Sequence, residues 1–212
     1  MANYTQTSNH RDFDDVIDWS EGGSLPQGDV DPLWTNPFFS TANNRIDVSH
    51  TVDDGEGGLI EKIRRLDQTS DGGSTNFRGS FAPNEKLVST VEGRDDGPLT
   101  LTFDTPVAGV GARISVSPTQ RFTGILRVYE STKRDAVPVA EYTVSGTGGF
   151  TSTETAPFLG AISDQANIVC AEFDTAQDCD FGFIIDSLRL LTTPTAQHSR
   201  ARATRKIRKN GR

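Results

Sequence analysis

Two cysteines, three histidines and one methionine in 212 residues leave little of the usual material of metal centres and nucleophilic active sites. A structural zinc site needs about four Cys or His ligands, and Cys170 and Cys179 have no His or further Cys near them in the chain. The same scarcity excludes a disulfide-dense miniature scaffold. His10, His50 and His198 are the only histidines, and the chain has no Gly-x-Ser-x-Gly elbow, so Ser-His catalysis has no visible footing. No apolar run approaches the length of roughly 18 residues that a membrane-spanning helix requires. The first ten residues lack the basic and apolar regions of a secretory leader and do not read as one. Apolar residues make up 34% of the chain, which points to one thin core with well-solvated outer faces.

Basic residues are scarce everywhere except at the C-terminus. Arg200, Arg202, Arg205, Lys206, Arg208, Lys209 and Arg212 crowd the last residues with no acid among them. The rest of the chain then holds 14 of the 21 Lys and Arg against 29 Asp and Glu. An acidic body of this kind repels nucleic acid and invites divalent cations or a basic partner, whereas the tail suits anionic surfaces. The expected division is a disordered N-terminus over residues 1–11, one domain over 12–193, and a basic disordered tail over 194–212.

What the chain has in quantity is β-pattern. Residues 99–103 alternate apolar and polar, and similar segments follow at 107–116, 122–129, 137–144, 167–173 and 181–191. Each is bounded by Gly, Pro, Asp, Asn or Ser, and none has the length or period of an amphipathic helix. In the first half, 46–52 and 59–66 flank the turn Asp53-Asp-Gly-Glu-Gly-Gly58, with shorter strands expected at 75–81 and 86–91. Residues 13–19 fit a short helix or a first strand. The sum is an all-β fold, a two-sheet antiparallel β-sandwich of jelly-roll type.

Several segments, taken in order, carry a family resemblance. They are Ile17-Asp-Trp19, Trp34-Thr-Asn-Pro-Phe38, Arg65-Leu-Asp-Gln68, Asn76-Phe-Arg-Gly-Ser-Phe-Ala-Pro83 and Gly97-Pro-Leu-Thr-Leu-Thr-Phe103. Pro106-Val-Ala-Gly-Val-Gly111, Ala156-Pro-Phe-Leu-Gly160 and Phe183-Ile-Ile-Asp-Ser-Leu188 continue the set. Over roughly residues 12 to 191 the chain resembles uncharacterised bacterial extracytoplasmic β-sandwich proteins, many of which end in a PEP-CTERM-type sorting anchor. That resemblance implies a jelly roll similar to galactose-binding and carbohydrate-binding modules, located outside the cell or on its surface. After Thr193-Pro194 this chain runs into the basic tail instead of such an anchor.

Sugar binding requires an aromatic face against a pyranose ring, with polar groups for its hydroxyls. Trp34, in a Gly/Pro/Asp-rich loop with Asn36, Asn43 and Asn44 nearby, fits that requirement best; Trp19 reads as core. Calcium takes carboxylate and carbonyl oxygens, and Asp186 interrupts an apolar strand. In a jelly roll the last strand returns to the chain's beginning, so Asp186, Asp12 and Asp14 form a candidate cation site. Facing water or pairing with an arginine is the alternative for Asp186. Cys170 and Cys179 flank a polar turn and become disulfide candidates if their strands form a hairpin; two free thiols fit equally. The functional expectation is a non-catalytic glycan or cell-surface binding domain, with calcium as an optional structural ion. A structural or self-associating matrix protein is the second reading, and a polysaccharide-acting enzyme the third.

Overall fold

The computed structural model describes residues 2–19, 37–53, 59–61, 63–67, 81, 86–90, 97–116, 121–133, 136–148, 156–176 and 182–194. Its first strands are β1 (Tyr4–Thr7), β2 (Asp15–Ile17), β3 (Phe38–Phe39) and β4 (Arg45–Ser49), with a 3-10 turn at His10–Asp12. Then come β5 (Thr51–Asp53), β6 (Leu59–Glu61), β7 (Ile63–Asp67) and β8 (Lys86–Thr90). The second half holds β9 (Leu99–Val107), β10 (Gly109–Val116), β11 (Arg121–Tyr129) and β12 (Ala140–Thr147). It closes with β13 (Phe158–Ser163), β14 (Ile168–Thr175), β15 (Phe183–Ile185) and β16 (Leu188–Leu191). No α-helix occurs among the described residues.

Two antiparallel sheets form the body. One runs β12-β11-β14-β9-β4-β3, and the other runs β1-β13-β10-β15-β8-β7 with β16 and β2 extending from β10. The chain passes from the first to the second at Ala108, where β9 gives way to β10. Strand alternation explains the layering. Leu99, Leu101 and Phe103 of β9 point inward with Phe122, Leu126 and Val128 of β11 and Phe173 of β14. They meet Val110, Ala112, Ile114, Ile185, Leu188 and Leu190 from the facing sheet in one continuous core. Gly124 of β11 permits the close approach of the layers, since a Cβ there would stand 2.8 Å from Ile114 Cγ2. The expected sandwich is the observed one. The strands β5 and β6 pair antiparallel as a separate ribbon, from Thr51↔Glu61 to Asp53↔Leu59.

Several local expectations change. Within the N-terminal segment expected to be disordered, β1 pairs along β13 from Tyr4↔Ser163 to Thr7↔Gly160. Its order comes from tertiary hydrogen bonds that local sequence does not display. Tyr4 Oη donates to Glu130 at 2.6 Å and Gln6 Nε2 to the Thr143 carbonyl at 2.9 Å. The strand expected from Val137 begins instead at Ala140, and Val137 is 82% exposed. Pro138 has no N–H to offer a ladder. The segment 181–191 is split into β15 and β16 by Asp186-Ser187. Ile114 pairs with Ile185 but Gly111 pairs with Arg189, so three residues face two and the chain bulges beside β10. Residues 59–66 likewise divide between β6 and β7, which belong to different sheets. The strand expected at 75–81 lies, apart from Phe81, outside the described residues.

Candidate functional site

Register alone places the site. In the six-stranded sheet, residues whose neighbours point inward must themselves point outward. Glu141 of β12 pairs with Arg127 of β11, Arg127 with Glu172 of β14, Glu172 with Thr100 of β9, and Thr100 with Ser49 of β4. These side chains form one row across the outer face. The next row joins Tyr129, Cys170, Thr102 and Asp47. At the far edge Phe39 of β3 stands opposite Arg45 and is 39% exposed.

Arg127 is the centre of this face. Its Nε donates to Glu141 Oε2 at 2.8 Å and its Nη1 to Asp174 Oδ2 at 2.9 Å, with Glu172 Oε2 4.0 Å away. Burial works against the guanidinium charge, but the bonds to Glu141 and Asp174 outweigh it and raise its pKa. Tyr129 Oη donates to Glu172 at 2.5 Å. Burial first, and that carboxylate second, push the phenol far above its ordinary range, so it remains a donor at any working pH. Beside them Cys170 is a buried free thiol. Arg45 holds a looser pair, 3.5 Å from Asp47 and 3.6 Å from Asp104. A guanidinium clamped by two carboxylates cannot rearrange cheaply, so the face presents fixed donors and acceptors.

Of the described residues singled out from sequence, Cys170 alone lies in these rows. Trp34 and Asn36 fall outside the described residues. Asn43 and Asn44 form the β3–β4 turn at the Phe39 edge, with Asn43 in the left-handed region at φ 64°. Asn44 Nδ2 donates to Asp15 Oδ2 at 2.8 Å, and its backbone N–H donates to Ser40 Oγ at 2.9 Å, so this amide holds the turn. Asp15, which drew no separate attention in the sequence, is the hub. It is buried and accepts from Ala42 N–H at 2.9 Å and from Thr41 Oγ1 at 2.8 Å as well. Burial raises its pKa, but the donations from Ser40, Asn44, Thr41 and Ala42 prevail and leave it below 3.8.

The three acids proposed for a cation are separately engaged. Asp186 Oδ1 accepts the Arg113 backbone N–H at 2.7 Å, and its Oδ2 lies 3.8 Å from the Arg113 guanidinium. Pairing with arginine, the alternative stated for it, is thus realised. Asp14 accepts both the N–H (2.8 Å) and the hydroxyl (3.0 Å) of Thr192, while Asp12 accepts from Thr7 at 2.6 Å and Asn9 at 3.1 Å. The expected return of the last strand is real, for β16 pairs with β2. Even so, the described residues contain no group of three or more His, Cys, Asp or Glu arranged to hold a metal ion.

Trp19 is core, as expected. It is fully buried, and its indole N–H donates to the Asp186 carbonyl at 2.7 Å. His10 lies edge-on to Phe158 with ring centres 6.4 Å apart, and His50 is buried with Nδ1 3.3 Å from the Pro98 carbonyl. Cys179 lies outside the described residues. The hairpin premise behind the disulfide fails, because β14 pairs with β9 and β11 whereas β15 belongs to the other sheet.

Sequence reasoning missed the Arg127 cluster. Polar side chains two apart on apolar strands, Glu172 with Asp174 and Arg127 with Tyr129, were the available signal, but only register brings the two strands' polar sides together.

No protein-family profile and no curated protein matches the chain. Among solved structures it is similar to the K3 cleaved adhesin domain of Lys-gingipain from Porphyromonas gingivalis w83, at 10% identity. The match covers 68% of this chain and 98% of that one with a TM-score of 0.31, too low to transfer topology or activity.

Proposed function

We propose that this protein is a non-catalytic binding domain whose outer six-stranded face takes a glycan. The observation that carries this reading is the combination on one surface of an exposed aromatic, Phe39, with the fixed network of Arg127, Glu141, Glu172 and Tyr129. Sugar hydroxyls need donors and acceptors held in place, because rearranging them on binding would consume the small net gain of each hydrogen bond. A pyranose also needs an apolar face, which Phe39 offers. Trp34 and Asn36 precede β3 in the sequence. Surface location is the setting implied by the family resemblance.

A glycan-array screen with the full chain, with and without calcium, tests the reading. Phe39→Ala, Trp34→Ala and Glu141→Gln should each weaken any retained ligand at least about tenfold while the melting temperature stays within a few degrees. A ligand bound equally by wild type and all three variants, or no ligand on a broad array, would sink it. Calcium is tested in the same series. If the ion is structural, EDTA lowers the melting temperature and added calcium restores it, and an unchanged melt removes it.

A further inference from the structure

We infer that the basic C-terminal segment docks in cis on the acidic outer face of the six-stranded sheet. This inference goes beyond the binding reading and does not depend on it. Its occupant is a named part of this chain, residues 200–212, with seven Arg and Lys and no acid.

Three observations lead there. The first is charge. The outer face gathers Glu141, Glu172 and Asp174 around Arg127, and Asp47 and Asp104 around Arg45, and with the exposed Arg121 on the same side of β11 five carboxylates stand against three guanidinium groups. Glu141 and Asp104 keep half their side-chain surface open, at 50% and 52%, and so retain acceptor capacity toward a further cation. The second is the place where the described chain ends. The Leu191 carbonyl accepts from Ala108 N–H at 2.7 Å, and the Ala108 carbonyl from Ser163 N–H at 2.7 Å. Val107 in turn pairs with Ile168. The chain therefore leaves β16 at the end of the sandwich where β14 begins, and Glu172 and Asp174 follow on β14 within about 20 Å at strand rise. The third is reach. Residues 195–212 span at most about 60 Å when extended, and Arg200 comes within about 20 Å of Pro194. The layers stand only about 10 Å apart, so the segment can round the sheet end and lay its charges along the outer rows.

Carbodiimide coupling on the full chain tests this, because it joins lysine amines only to carboxylates in direct contact. In an equal mixture of 14N- and 15N-labelled protein at low salt, Lys206 and Lys209 should couple mainly to Glu141, Asp174, Glu172, Asp47 or Asp104, and within one isotope. The yield should fall at least about fivefold in 1 M salt, where the screening length is near 3 Å. Neutralising Glu172 or Asp174 would strip Arg127 of partners and endanger the fold, so the matched variant changes the tail instead. Arg205→Gln, Arg208→Gln and Arg212→Gln together keep both lysines and should lower the yield by a similar factor. Coupling between isotopes, coupling spread evenly over Asp14, Glu130 and Asp164, a yield insensitive to salt or to the variant, or no coupling at all would each overturn the assignment.

Discussion

At the scale of single residues, the decisive groups are polar ones whose surroundings fix their charge state. Asp15 serves four donors around the β3–β4 turn, and its folded pKa lies below its ordinary 3.8. A depressed carboxylate contributes stability that is complete above the unfolded value and is lost as pH falls through the folded one. Asp15→Asn should therefore cost about 1–3 kcal/mol at pH 7 by urea denaturation, and the gap from wild type should narrow below pH 4. Cys170 shows the opposite sign. Burial, then the Glu172 carboxylate, lift its pKa to about 11 against an ordinary 9.0, with Thr102 opposing. Two units reduce the thiolate fraction about a hundredfold, so iodoacetamide at pH 8 should label the Cys170 peptide about a hundred times more slowly in native protein than in urea. Equal rates would contradict the burial. Neither residue's state was legible in the sequence, where Asp15 is one of four acids within seven residues and Cys170 is one of two thiols.

At the scale of elements, period-two alternation located most of the second-half strands because each has one face inward. It failed where that condition fails. The strand β13, Phe158-Leu-Gly-Ala-Ile-Ser163, is buried along its whole length and shows no alternation. The strand β1 has too little apolar character to announce itself and is held by Glu130, Thr143 and β13. Gly182, at the entry to β15, has φ 69°, and a Cβ there would stand 2.3 Å from the Thr90 carbonyl oxygen. Thr90 Oγ1 also accepts the Phe183 N–H at 3.0 Å, so backbone and side chain close on each other with no room between. Gly182→Ala should destabilise the protein by about 2 kcal/mol or more, and amides of β15 and β8 should lose protection first in hydrogen exchange. Protection lost evenly over both sheets would argue against a local origin.

For the whole molecule, one core joins both sheets, and unfolding should follow it. Leu126→Ala from the six-stranded sheet and Ile185→Ala from the other should each cost about 2–5 kcal/mol and shift one shared transition. Two separate transitions in calorimetry would show that the layers fold independently. The amino-acid order by itself determined the fold class, because alternating apolar residues between turn formers can bury one face only by stacking two sheets. It also determined the charge asymmetry between body and tail, which needs only counting. The tertiary structure decided everything that depends on which strands are neighbours. Glu141, Arg127 and Glu172 lie 14 and 45 positions apart in the chain and become adjacent only through the β12-β11-β14 register. Asp186 only interrupts an apolar segment in the sequence, and the pairing around β10 is what lets its Oδ1 accept the Arg113 N–H. Local sequence encodes the direction a side chain takes from its strand, whereas its partner across the ladder is fixed by long-range pairing that no short segment contains.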